Sequence, residues 1–230
     1  MTARAQLGRG ALESVPLVVA AFPFGVVFGA LAQSYAITFI QAIGMSAIVF
    51  AGASQFIALT LLASATAWPV IVFTVFVVNL RQMLYSANLM GHVRHWPKSW
   101  RAVLSFWLTD ETFAVVSHRL AVASSQKGLR WFYLGSATLM YCFWLIATAL
   151  GYLLGERMPQ LANLGLDVAM IVAFVGIVVP SLKHKADWAC AATASVSALL
   201  TYEWPHQTGL LFSALLAIAV ALLLSRSHSE

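Results

Sequence analysis

Apolar residues in this chain fall in long runs separated by short polar connections, most of them basic. A run of about twenty apolar residues has the length of a membrane-crossing helix, whereas a membrane barrel shows segments of roughly ten residues with alternating polarity. The pattern predicts helical runs at about 15–34, 39–65, 68–90, 102–123, 130–155, 167–182, 186–203 and 207–225. Pro16 is placed as a first-turn proline, behind a basic, polar N-terminus over residues 1–14. Cleavage after Ala30-Leu31-Ala32 is disfavoured, because the run from Val15 to Ala32 is longer than the apolar core of a usual signal peptide.

Two runs are interrupted. In 39–65, Phe50-Ala51-Gly52-Ala53-Ser54-Gln55-Phe56 sets small residues and an amide halfway along an apolar stretch. Such a segment suits a discontinuous helix whose freed backbone lines a site, the reading preferred here; the alternative is a small-residue contact face with Gln55 bonded to a neighbouring helix. In 102–123, Thr109-Asp110-Glu111 places two carboxylates side by side. Each opposes insertion at the centre of a spanning helix by about 2.5–3.5 kcal/mol, so the pair is read as functional, facing a cavity or a protein partner; a soluble surface or a salt bridge that merely locks two helices is the alternative.

The run 68–90 carries Asn79-Leu80-Arg81-Gln82 near its centre. At 100° per residue, Asn79, Gln82 and Ser86 share one face and Arg81, Tyr85 and Asn88 a nearly opposite one, which predicts a helix enclosed on two sides. Arg81 calls for an acidic partner, Asp110 or Glu111, or else serves as the anchor for an anionic group of a substrate. The later runs hold fewer interior polar groups and read as scaffold. Phe22-Pro23-Phe24-Gly25 with Gly29 combines a kink with a Gly-x-x-x-Gly face, which suits either a site-lining break or plain helix packing, and Gly151 with Gly155 repeats the helix-contact spacing.

Composition excludes a water-facing domain: of 230 residues, 61% are hydrophobic and 9% charged, where soluble domains carry about 25% charged residues. The net charge of +5 is scattered through short loops, which is an orientation signal rather than a nucleic-acid patch. Cys142 and Cys190 lie inside apolar runs without metal-ligand spacing, and no phosphate-binding Gly-x-x-x-x-Gly-Lys-Ser/Thr motif occurs. Neither a metal nor another cofactor is expected, and a single acidic motif without a metal-spaced histidine pair argues against an intramembrane enzyme.

Loop charges refine the topology. Counting every run as a full span from a cytoplasmic N-terminus fixed by Arg4 and Arg9 puts the loop with Arg94, Lys98 and Arg101 outside, against the positive-inside rule. If 39–65 and 102–123 are instead re-entrant hairpins entering from opposite sides, all three richest basic loops become cytoplasmic. The expectation is an all-α polytopic membrane protein with about six spanning helices plus two discontinuous or re-entrant segments; seven to eight simple spans are the alternative. It forms one integral membrane domain over 1–230, with motifs in 15–123 and a scaffold-like half in 124–230.

Taken together, Pro23-Phe24-Gly25 with Phe28-Gly29, the segment from Phe50 to Phe56, Asn79-Leu80-Arg81 with Tyr85-Ser86, and Leu108-Thr109-Asp110-Glu111-Thr112-Phe113 resemble the AzlC family, the large subunit of bacterial branched-chain amino acid exporters. The resemblance covers about 16–123 by motif and the remainder by hydropathy. It implies a multi-pass permease of the bacterial inner membrane that exports amino acids such as valine, leucine or isoleucine with a small hydrophobic AzlD-like subunit. It also implies a transport path through Gly52, Ser54, Gln55, Asn79, Arg81, Tyr85, Thr109, Asp110 and Glu111. Gln82 departs from the histidine expected in many relatives, which shifts any proton-carrying role to Asp110 or Glu111.

Overall fold

The protein is described here from a computed structural model that covers residues 2–122, 127–157, 175, 179, 182, 184–204 and 208–226. Apart from three isolated positions, the run expected at 167–182 lies outside the described residues. Those residues form nine helices and no strand: α1 (Ala3–Ser34), α2 (Phe39–Ile48), α3 (Gly52–Ala63), α4 (Trp68–Val93), α5 (Lys98–Phe106), α6 (Asp110–Val122), α7 (Leu129–Arg157), α8 (Lys185–Leu200) and α9 (Thr208–Arg226). Of these, α1, α4 and α7 are long and apolar enough to cross a membrane. The chain packs as two compact units, Met1–Ser64 with Val75–Asp167 and Ala65–Thr74 with Val168–Glu230.

The first unit is built on α1 and α7, which run parallel. Ser14 bonds Ser136 at 2.6 Å, and further along Gly25 lies against Ala147 and Gly29 against Thr148. Glycine permits the closeness: a Cβ on Gly29 would sit 2.1 Å from the Thr148 carbonyl oxygen, and one on Gly151 2.0 Å from that of Val26. Both glycine pairs therefore serve helix packing, and α1 continues unbroken through Pro23. The start of α1 corrects the expectation of a helix from about residue 15. Thr2 caps a helix that already begins at Ala3, an Arg9–Glu13 pair at 2.6 Å spans one turn, and Gln6, Gly10 and Ser14 are buried at four-residue spacing. Polar composition hid this buried stripe, and Pro16 is an interior residue rather than a first-turn one.

Both interrupted runs break and double back along α7. Along α2 the contacts move from the C-terminal part of α7 to its middle: the Phe39 and Tyr152 rings are 5.4 Å apart, and the Tyr141 hydroxyl donates to the Ala47 carbonyl at 3.0 Å. The chain then turns at residues 49–51, where Phe50 takes a φ of 40°, a left-handed conformation that is strained for a side chain of this size. Gln55 on α3 bonds Ser46 on α2 at 2.9 Å, a meeting that a straight helix would forbid, since nine residues span roughly 13 Å of axis. The break falls just ahead of the small residues; Gly52 opens α3 beneath Trp144, whose ring leaves 3.0 Å for a Cβ.

The second hairpin approaches from the other end of α7. Trp100 packs on Trp131 at 5.0 Å, the Tyr133 hydroxyl donates to the Leu104 carbonyl at 2.8 Å, and Trp107 reaches Tyr141 at 5.5 Å. After the turn at 107–109, α6 returns until Arg119 lies over the Phe132 ring at 5.6 Å. In the second unit, α8 is capped by His184 and Asp187, and the hairpin to α9 brings Trp204 within 5.4 Å of Phe212.

Candidate functional site

Asp110 and Glu111 occupy the first turn of α6, where the helix dipole favours negative charge. Thr109 caps that turn: its Oγ1 accepts from the Thr112 backbone N–H at 3.3 Å and donates to the Thr112 hydroxyl at 3.2 Å. The cap fixes Asp110 toward α4. Arg81 Nη1 meets Asp110 Oδ2 at 2.7 Å, and the Tyr85 hydroxyl donates to Asp110 Oδ1 at 2.7 Å, so both carboxylate oxygens are held. Phe113, one turn along α6, stacks on the Tyr85 ring at 4.4 Å and 14°. The ion pair is thus with Asp110, while Glu111 stands half-buried beside it.

The cluster is neither sealed nor fully solvated. The Arg81 and Asp110 side chains are 32% and 37% exposed, yet Arg81 Nε is buried without an acceptor among the described residues. A guanidinium with an unused donor beside a carboxylate still reachable from outside can accept a further anionic ligand without losing its partner.

Asn79, two residues before Arg81, accepts from the buried Ser54 hydroxyl at 2.7 Å. Both half-helices that follow the breaks therefore touch α4 within two turns, α3 through Ser54 and α6 through Asp110. This differs in one respect from a helix enclosed on two sides: Leu80, Met83 and Leu84 are exposed, and so is Asn88. The polar positions flank a single covered stripe.

Gln55 is fully buried and bonded through both ends of its amide. Its Nε2 donates to Ser46, its Oε1 accepts from Trp144 Nε1 at 2.9 Å, and Ser46 in turn meets the Thr148 hydroxyl at 2.7 Å. Residues read as scaffold on α7 thus supply two members of this network. Their spacing was a readable signal, since Tyr141, Trp144 and Thr148 fall at i, i+3 and i+7, on one helical face, each with a polar handle.

The family model of the AzlC protein matches residues 16–158. The chain belongs to the AzlC family. Among its relatives, the inner membrane protein YgaZ of Escherichia coli is 27% identical over 83% of this chain and 78% of its own length. An uncharacterized membrane protein of Archaeoglobus fulgidus is 30% identical over 79% of this chain and 78% of its own. The branched-chain amino acid transport protein AzlC of Bacillus subtilis is 25% identical over 80% of this chain and 71% of its own. No solved structure matches. The family match covers the whole site of this AzlC-family membrane protein, from the α1 glycines to Trp144 and Thr148 on α7.

Proposed function

We propose that this chain is the large subunit of a secondary transporter that exports branched-chain amino acids across the bacterial inner membrane, together with a small hydrophobic AzlD-like subunit. The observation that carries the reading is the half-open Arg81–Asp110 pair, set where two broken helices contact α4. Broken helices at membrane depth are how transporters bring backbone donors and charged groups to a substrate. A zwitterion needs donors for its carboxylate, which Arg81 and the N–H groups near Gly52 offer, and an acceptor for its ammonium, which Asp110 or Glu111 offers. The name of the Bacillus subtilis relative supplies the cargo class.

In this reading α2–α3 and α5–α6 are re-entrant hairpins entering from opposite faces, the N-terminus is cytoplasmic, and about six other segments cross. Gln82 has no proton to exchange, so Asp110 or Glu111 carries any coupled proton. A second reading has its own support: the Asp110 carboxylate, with one partner from α4 on each oxygen, also suits a lock between α4 and α6 in an assembly subunit that does not itself transport.

Efflux of labelled valine from preloaded cells expressing the chain with its partner separates the two. Asp110→Asn and Glu111→Gln at normal protein level are expected to slow efflux at least tenfold in one or both. Unchanged efflux in both variants removes the acidic pair from the mechanism and leaves the lock.

A further inference from the structure

A cavity of about 250 Å³ lies between the C-terminal half of α4, α5 and the start of α7. It is below the roughly 300–1,000 Å³ of drug-sized sites and on the scale of one small solute. Leu89, Leu104 and Leu108 supply apolar wall, while Ser86, Ser105 and Arg101 bring polar groups to it. Arg101 Nε is buried and has no acceptor, an arrangement that leaves a charged donor to be satisfied by something other than the described protein. Ser86 follows Tyr85 directly and Leu108 stands two residues before Asp110, so the cavity lies next to the Arg81–Asp110 cluster. It also lies at the α7 end that bears the basic connection from Arg94 to Arg101.

We infer that this cavity is a loading site where a branched-chain amino acid rests before it reaches the Arg81–Asp110 cluster, an inference whose cargo class rests on the transport reading above. The substrate carboxylate takes the free Arg101 donor, the ammonium meets the lone pairs of the Ser86 and Ser105 hydroxyls, and the branched side chain lies among Leu89, Leu104 and Leu108. A basic amino acid is repelled by Arg101 and an acidic one finds no second cation among the described lining residues, so the site selects apolar side chains before the carboxylates of α6 are reached.

Cysteine protection tests this without relying on transport. In membranes carrying Ser105→Cys in a background of Cys142→Ser and Cys190→Ser, the rate of modification by a small maleimide is measured against valine concentration. Occupancy slows the reaction in proportion to the unoccupied fraction, about tenfold at ten times the dissociation constant. Valine and leucine are expected to protect and lysine and glutamate not to. Arg101→Gln is expected to raise the protecting concentration at least about tenfold, as loss of a charge-assisted bond does, with Arg101→Lys recovering part of it. Absence of protection by valine overturns the inference, and so does undiminished protection in Arg101→Gln, which marks an apolar occupant such as an acyl chain. Valine efflux is followed in the same strains: efflux without protection sinks the cavity and spares the transporter, and protection without efflux does the reverse.

Discussion

Phe50 and Trp107, the residues at the two chain reversals, meet on one ring: Tyr141 lies 4.9 Å from the first and 5.5 Å from the second. Two hairpins arriving from opposite ends of α7 thus share a stop near its middle, and Tyr141 also holds the Ala47 carbonyl. Aromatic pairs of this kind contribute about 0.5–1.5 kcal/mol each beyond burial. Tyr141→Leu keeps an apolar side chain, though a smaller one, but frees both turns, and it is expected to lower the maximal valine efflux rate severalfold while the protein still accumulates. Efflux at wild-type rate would show that the shared stop is packing alone.

The α1–α7 contact is the least forgiving place in the first unit. Gly29→Ala drives a Cβ to 2.1 Å from a backbone oxygen that cannot swing away, so the two helices must separate; overpacking of this sort destabilises by about 1–3 kcal/mol. Gly44→Ala is the control, since a Cβ there meets nothing within 4 Å and alanine favours the helix by about 1 kcal/mol. Thermal aggregation of detergent-solubilised protein should fall in temperature for the first variant and hold or rise for the second.

Much of this was legible because the membrane makes rare residues informative. Arg81 and the acidic pair named each other by expense alone, and the two broken runs were visible as small or charged residues in apolar stretches. What stayed hidden was contributed by packing. The choice of Asp110 over Glu111 depends on the Thr109 cap and the rotation it imposes on the first turn of α6. The early start of α1 depends on Gln6, Gly10 and Ser14 fitting against α7, which hydropathy scores as solvent-facing. A bond from Gln55 to a neighbouring helix was legible, but its partner Trp144 was not, because a tryptophan in an apolar run reads as bulk although its Nε1 demands an acceptor once buried.

That network gives a sharp test. Trp144→Phe removes the donor to Gln55 Oε1 and leaves a fully buried carbonyl unsatisfied, at a cost of about 1–3 kcal/mol. Gln55→Leu alone should be similarly harmful, because it strands Trp144 Nε1 and leaves Ser46 with Thr148 alone. The double variant removes the principal mismatch and is expected to lose less than the two single losses added together, the mark of coupled neighbours. Melting temperatures of the three variants check this, and simple additivity would mean that the amide and the indole do not depend on each other.

Topology rests on Lys98, the first residue of α5. If the second hairpin enters from the cytoplasm, a cysteine at Lys98 in an otherwise cysteine-free chain is shielded from an impermeant thiol reagent in intact cells and reacts once they are permeabilised. Labelling in intact cells would place the basic loop outside and restore simple spans, against the positive-inside rule.

The Arg81–Asp110 pair remains the discriminating one, because both readings of the protein claim it. Removing one partner alone strands a charge, and since each side chain is about one third exposed, the loss should be milder than the roughly 3–5 kcal/mol of a sealed pair. Arg81→Asp combined with Asp110→Arg restores opposite charges across the same gap but moves the cation to the start of α6, where the helix dipole opposes it. Assembly is therefore expected to recover in part, read as protein level and solubility in mild detergent. Efflux is expected to stay at least tenfold down, because a carboxylate-binding cation would now stand on the wrong helix and the ammonium acceptor on the other. Full recovery of both would make the pair a fastener and nothing else.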